Sequence, residues 1–408
     1  MSRLKRHFVL LAVASLAACK GKENGPNELG PPASMSASPA APTAPANTDL
    51  TGVTLTVRDA NNNALPNQVV TFTVTAGGGS LAAATATTGA DGTVAVPAWK
   101  LGKLDVPQTL QATTGAVNFN VNASVQTSYN VVLRFYEGAP TAAQQALFNN
   151  AAARIRAVIT GDVANVTPPP NTNVSACTPG QTTLLTETID DVVIYVRITP
   201  IDGQGQILAS AGPCFVRTGG ANAMTTVIGT MLFDVADLPI LREETILHEM
   251  LHVIGVGAMW PDPPPEGWGL ITGVGGPTPR YTGAQGVQGC QEIGGTVTCL
   301  SSVPVENDHG PGTRDTHWEE DDFDNELMTG LIEQAQIPMP LSIMTVRSLR
   351  DIGYTVNLAN FDAFTKPFQA LRAGGQSASR VQWEGPPPVP VFAIDENGTI
   401  VRQLRKVP

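Results

Sequence analysis

From Leu50 to Val125 apolar residues alternate with polar ones, and past Ser128 that alternation gives way to helical spacing, so the chain must fold as domains of different class. Val53-Thr-Leu55-Thr-Val57, Val70-Thr-Phe72-Thr-Val74 and Val94-Ala-Val96 are the clearest alternating runs. Turn chemistry separates them at Asp59 to Asn63, at Gly77-Gly-Gly79 and at Asp91-Gly92. Short strands at this spacing predict a small all-β sandwich over residues 50–126.

The second domain begins with an apolar strand, Tyr129 to Phe135, followed by Thr141-Ala-Ala-Gln144, which has the form of a capping box. Phe148, Ala151, Ile155 and Ile159 then recur at helical spacing. Asp190 to Val196 and Gly229 to Phe233 read as further strands, and Arg242 to Ile254 as a helix. Ser342 caps a later helix with Val346, Leu349 and Ile352 on one face and Gly353 as its stop. These elements predict an α+β domain over residues 127–361. Residues 362–408 read as a C-terminal extension with a hairpin, Val391 to Ile394 and Thr399 to Val401 around Asp395 to Gly398.

Arg3, Lys5 and Arg6 precede the apolar run Phe8 to Ala14, which has the form of an export signal over residues 1–18. Its ending, Leu16-Ala17-Ala18-Cys19, resembles the bacterial lipobox; that resemblance implies lipidation of Cys19, and Lys20 after it implies the outer membrane. A soluble secreted protein cut near Ala18 is the simpler alternative. Residues 19–49, rich in Pro, Ala and Ser, read as a disordered tether. The formal charge of −11 becomes −14 without the leader, 21 basic against 35 acidic residues, which disfavours nucleic acid as a partner. Four cysteines remain for an oxidising compartment: Cys177, Cys214, Cys290 and Cys299. We pair Cys177 with Cys214 and Cys290 with Cys299, although the sequence admits three connectivities. A four-cysteine zinc site is disfavoured by the lack of any C-x-x-C spacing.

His248-Glu249-Met250-Leu251-His252 is H-E-x-x-H. On a helix its two imidazoles lie on one face and can share an ion, while Glu249 can reach a metal-held water as general base. Gly255 follows, free to adopt positive φ and turn the chain out of the helix. That arrangement is similar to the metzincin pattern H-E-x-x-H-x-x-G, but Ala258 stands where its usual third histidine falls. Beyond the leader's His7 the chain offers only His309 and His317 as a third imidazole. Glu306, Glu319 and Glu326 are the carboxylate alternatives.

The domain resembles the leishmanolysin family, metzincins with an insertion between the glycine and the third histidine. The resemblance rests on Ala211-Gly-Pro213, Phe233-Asp234, Asp237-Leu238, His248 to Gly257, Trp260, Tyr281-Thr-Gly283, Pro304-Val-Glu306, His317-Trp318, Glu326 to Gly330 and Leu349 to Tyr354, in order. It implies one zinc ion on His248, His252 and His317, Glu249 as base, and Met328 in a turn beneath the site. Asp59 to Pro66, Phe72 to Gly79 and Trp99 to Gly102 resemble bacterial immunoglobulin-like domains of the intimin and invasin type.

Taken together these features predict a multidomain, lipid-anchored zinc endopeptidase of the bacterial cell envelope that hydrolyses extracellular protein or peptide substrates. The strand Gly229 to Phe233 is expected to border the cleft at the sheet edge and pair with substrate backbone. The alternative is a cell-surface adhesin whose peptidase-like domain binds without cleaving. A hydrolase of non-peptide amides is a third reading.

Overall fold

The computed structural model describes residues 29–220, 222–333, 337–367, 381–382, 385 and 389–406. The expected export signal and Cys19 lie outside the described residues. The first domain is an all-β sandwich of two facing sheets that share one core. One sheet has the order Pro32–Ser38, Thr54–Asp59, Thr93–Ala95. The facing sheet has the order Thr43–Ala44, Val117–Val125, Gln108–Thr114, Val69–Ala76, Thr85–Thr87. Period-two burial follows the sequence: Leu55, Val57, Val70, Leu110 and Ala112 are fully buried and pack around Trp99.

The tether expected over residues 19–49 is corrected here for its described part. Pro32–Ser38 pairs antiparallel with Thr54–Asp59, with Met35 opposite Val57 and Ala37 opposite Leu55. The Asp59 carboxylate accepts the Gly30 N–H at 2.9 Å and fixes the entry to this strand. Its composition, Ala and Ser around the single large side chain of Met35, is that of a linker. An edge strand held by ladder hydrogen bonds needs little more apolar surface than that.

The second domain is built on a six-stranded sheet. Its order is Val131–Glu137, Val192–Thr199, Thr226–Asp234, Ala209–Arg217, Val391–Ile394, Ile400–Arg405. The first three strands are parallel, and Ala209–Arg217 is antiparallel to Thr226–Asp234. The strand containing Gly229 to Phe233 is therefore internal, which corrects its expected place at the sheet edge. Hydrophobicity marks a strand but carries no information about its order in the sheet. The C-terminal hairpin is present, as Val391–Ile394 and Ile400–Arg405, yet it extends this sheet and is not a separate extension.

Helix α1 (Ala142–Val158) carries the expected capping box, with Thr141 accepting from Gln144 N and Gln144 accepting from Thr141 N. It lays Phe148, Ala151 and Ile155 on the sheet, where the Phe148 ring meets Phe135 and Phe233 edge-on at 5.1 Å each. Beside it runs α2 (Glu243–Ile254), buried from Thr245 to Ile254. The opposite sheet face is covered by Val166, Val174, Leu185 and the Cys177–Cys214 disulfide.

The lower half holds α3 (Ala284–Glu292), the single turn α4 (Glu320–Phe323) and α5 (Ile343–Asp351), the last capped by Ser342. A Cβ on Gly289 would come within 2.5 Å of Met344 Cα, so glycine is what allows α3 and α5 to approach. The second disulfide is Cys290–Cys299. Both pairings match expectation.

The two domains touch. Asn47 Nδ2 donates to Ala359 O, Asn357 Nδ2 donates to Ala46 O, and Arg156 pairs with Asp105 at 2.7 Å. Among the described residues no helix is long and apolar enough to cross a membrane.

Candidate metal centre

A helix buried on all sides belongs to a core, and ionisable groups in such a core cost several kcal/mol, ~2 to 7 each, unless they are engaged. Helix α2 nevertheless carries His248, Glu249 and His252, each at most 1% exposed. Gly255 ends it at φ 114°, its N–H bonded to the carbonyls of Leu251 and His252. The chain leaves the helix sharply at that point, as its position after the second histidine predicts.

His317 returns to the helix from 65 residues further on. The Nε2 atoms of His248 and His252 lie 2.9 Å apart, and His317 Nε2 is 3.1 Å from each. On the far side of each ring, Nδ1 faces an oxygen acceptor. His248 Nδ1 is 2.7 Å from Leu327 O, His252 Nδ1 is 2.9 Å from Val256 O, and His317 Nδ1 is 2.9 Å from Thr313 O. Carbonyls accept only, so each Nδ1 must carry the proton and each Nε2 presents its lone pair inward. Three converging lone pairs repel one another, and a cation between them removes that repulsion. Tetrahedral zinc with Zn–N of about 2.05 Å sets its nitrogens about 3.3 Å apart, close to the observed separations. The donor set therefore fits zinc, with each ring oriented from behind by a backbone acceptor.

Local packing explains how His317 arrives. Gly257 has φ 70°, and a Cβ there would lie 2.0 Å from Thr316 O and 3.1 Å from His252 Cε1. Only glycine lets the backbone before His317 lie against the second histidine. Trp318 N–H then donates to Met328 O, and its indole N–H donates to Thr345 Oγ1 at 2.8 Å. Trp318, Trp260 and Tyr281 stack into one cluster with centroids 4.5 to 5.1 Å apart.

Met328 sits in a tight turn, Glu326 to Thr329, and is fully buried. Carbonyls of this turn meet His248 through Leu327 and Trp318 through Met328. The Glu326 carboxylate anchors it, accepting from Met328 N, Ser342 N, Ser342 Oγ and Thr345 Oγ1 at 2.6 to 3.1 Å. Burial pushes the Glu326 carboxyl up, and the four donors oppose that shift. Tyr354 ties α2 to the sheet, donating to Ile254 O and accepting from Thr226 N, both at 3.1 Å.

The rival third ligands lie elsewhere. His309 is 36% exposed by its side chain and faces Glu306 and Asp308. The Glu306 carboxylate caps its own loop through the amides of Asn307, Asp308 and Glu320. Glu319 accepts from Asp321 N, and Glu326 is engaged as described. Among the described residues, other acidic groupings occur at Asp162/Asp190/Asp191 and Glu320/Asp324/Glu333. The sequence places Gly257 and Glu326 only in the stretches that carry the resemblance, Glu326 also as a rival ligand; their positioning roles and the three orienting carbonyls are not read from it. For the carbonyls no sequence signal exists, because every residue carries one.

A histidine triad that can hold a metal, built on an H-E-x-x-H helix in an α+β domain, defines the class as a metal-dependent hydrolase. Residues 170–365 match the family model of leishmanolysin, so this region is similar to that metallopeptidase family. That family is zinc-dependent in general. No curated protein matches the chain. Similar solved structures include the D00-D0 domain of intimin, at 23% identity and TM-score 0.19, covering 25% of this chain and 48% of that one. The D0-D1 domain of intimin is 25% identical at TM-score 0.19, with coverages of 24% and 50%. A C-terminal 282-residue fragment of intimin, solved with the intimin-binding domain of the translocated intimin receptor, is 14% identical at TM-score 0.21, with coverages of 50% and 55%. The chain spans about half the length of each.

Proposed function

We propose that the protein is a metzincin-type zinc endopeptidase that hydrolyses peptide bonds of extracellular polypeptides, with zinc on His248, His252 and His317 and with Glu249 as general base. The observation that carries this reading is the convergence of three Nε2 atoms within 3.1 Å, each ring backed by a carbonyl. When bound, zinc supplies Lewis acidity toward a carbonyl oxygen and acidifies water at its open position. Glu249, adjacent to His248 on α2, receives the proton of the attacking water on its carboxylate and returns it to the departing amine nitrogen. Leu327, Val256 and Thr313 hold the imidazoles in one tautomer throughout. Met328 packs in the turn beneath the first and third ligands.

In this reading residues 1–18 direct export, Cys19 carries the lipid, and the immunoglobulin-like domain sets the peptidase away from the outer membrane. The test is cleavage of an unfolded polypeptide by the zinc-loaded chain, before and after limited proteolysis, against Glu249→Gln. Glu249→Gln is expected to retain zinc and lose about 10² to 10⁴-fold in rate. Bound zinc with no Glu249-dependent cleavage in either state would favour the adhesin.

A further inference from the structure

Two connections leave the same end of the six-stranded sheet and carry three aspartates. Thr199, the last residue of Val192–Thr199, lies opposite Asp234, the last residue of Thr226–Asp234, and Ala209 lies opposite Phe233. The turn at residues 202–206 and the turn at residues 234–237 therefore run side by side. Asp234, 1% exposed, binds the first turn through Oδ2, which accepts from Asp202 N at 3.0 Å and Gly203 N at 2.9 Å. Its Oδ1 accepts only from Ala236 N, at 2.9 Å, and keeps a lone pair. Asp237 reaches across to the same turn, with Oδ1 accepting from Gly205 N at 2.8 Å. Its second oxygen, Oδ2, is buried without a hydrogen-bond partner, in a residue 3% exposed. Asp202 is the exposed member and accepts from Ile207 N at 3.1 Å.

Ordinary structural roles do not account for Asp237. It stands at the N-terminal cap of Leu238–Ile240, yet its side chain makes no capping hydrogen bond. Among the described residues no lysine or arginine pairs with Asp202, Asp234 or Asp237. Burial pushes the Asp237 carboxyl up; the Gly205 N–H opposes that shift, and the charges of Asp234 and Asp202 add to it. A buried carboxylate oxygen with no donor, beside two further carboxylates, is costly unless a proton or a cation completes it.

We propose that Asp202, Asp234 and Asp237 hold a calcium ion that clasps the turn at residues 202–206 to the connection leading into α2. The side-chain donors are all carboxylate oxygens, which select a hard cation and leave no role for a nitrogen- or sulfur-seeking metal. Calcium takes roughly six to eight oxygens in irregular geometry, so carbonyls of the turn and water supply the remainder; the strict octahedron of magnesium suits two separate turns poorly. Asp237 stands six residues before Glu243, the first residue of α2. The ion's role is structural: it fixes the approach to the helix that bears His248 and His252. This site is separate from the histidine triad and stands whether or not the chain cleaves peptides.

The test uses the full chain, freed of metal and reloaded with equimolar zinc. Calcium chloride is titrated calorimetrically into wild type, Asp237→Asn, Asp202→Asn and Asp308→Asn. The last removes a charge from an exposed acidic loop elsewhere and serves as control. Wild type and Asp308→Asn are expected to bind calcium alike at a single site. Asp237→Asn and Asp202→Asn are expected to bind it on the order of tenfold more weakly, with zinc content unchanged. Calcium should also slow amide hydrogen exchange over residues 199–207 in wild type and not in Asp237→Asn. Asp202 is exposed, so its variant carries the comparison if Asp237→Asn does not fold. No saturable uptake by wild type at millimolar calcium, which leaves Asp237 completed by a proton alone, overturns the proposal. Equal affinity in wild type and both turn variants overturns it as well, as does a loss in Asp308→Asn that matches theirs.

Discussion

His248 and Leu327 are joined by a 2.7 Å hydrogen bond from the imidazole Nδ1–H to the carbonyl oxygen, so the turn carrying Met328 orients the first histidine. The next carbonyl of that turn, Met328 O, accepts from Trp318, the neighbour of His317. Two of the three imidazoles are thus referenced to one short turn, although they come from segments 69 residues apart. Whatever loosens the turn loosens the metal centre.

Glu326 is the point at which to test that coupling. Glu326→Ala leaves four buried donors without their acceptor, and the expected loss of stability is about 3 to 5 kcal/mol. Zinc affinity should fall in the same variant, whereas Glu326→Gln, which keeps one acceptor oxygen, should lose less of both. Urea unfolding and zinc titration of the two variants check this order.

Asp191 gives a pH dependence with a definite sign. Burial raises its carboxyl to about 6, against two backbone donors, Val163 N and Asn130 N. The folded state therefore holds this proton more tightly than the unfolded state. Its contribution to stability is present below pH about 4 and is lost as pH rises through about 6. The unfolding free energy of wild type minus Asp191→Asn should decline over that window. A difference that is flat or rises from pH 4 to 6 contradicts the assignment.

The two disulfides should differ in weight. Cys177–Cys214 closes 37 residues and Cys290–Cys299 closes 9. The chain-entropy relation gives about 4 kcal/mol for the first and about 2.5 kcal/mol for the second. Paired Cys→Ala variants, compared by denaturant midpoint, should show the larger loss for the pair that ties the antiparallel strand to Ser175–Cys177.

Arg154 should couple the domains. Its guanidinium is buried and reaches Lys103 O in the first domain, with Asn360 and Asp362 in the second. Arg154→Met leaves Asn360 Oδ1 without that donor, while Lys103 O keeps Asn360 Nδ2 and Asp362 Oδ1 keeps Lys103 Nζ, so the expected cost is about 1 to 3 kcal/mol. Calorimetry should then resolve two transitions, where a coupled pair melts together.

Legibility from sequence followed physical range. Helices α1 and α2 were readable because capping and burial repeat within a few residues, as Thr141/Gln144 and His248/His252 do. Gly255 was readable because its conformation is a local demand. His317 was reached through family resemblance, since nothing local to Thr316-His317-Trp318 marks a ligand. The strand Pro32–Ser38 was hidden by small side chains whose stability comes from the neighbouring ladder. Sheet order was hidden too, so Thr226–Asp234 was set at an edge that belongs to later strands. The attachment of Val391–Ile394 to Ala209–Arg217 joins residues about 180 positions apart, beyond the reach of any periodicity.

The most direct test of the metal centre is zinc content per chain in three proteins: wild type, His317→Ala and His309→Ala. Equimolar zinc in wild type and His309→Ala, with loss in His317→Ala, is the predicted result. Zinc retained by His317→Ala at the wild-type level, or lost from His309→Ala, would contradict the three-histidine site.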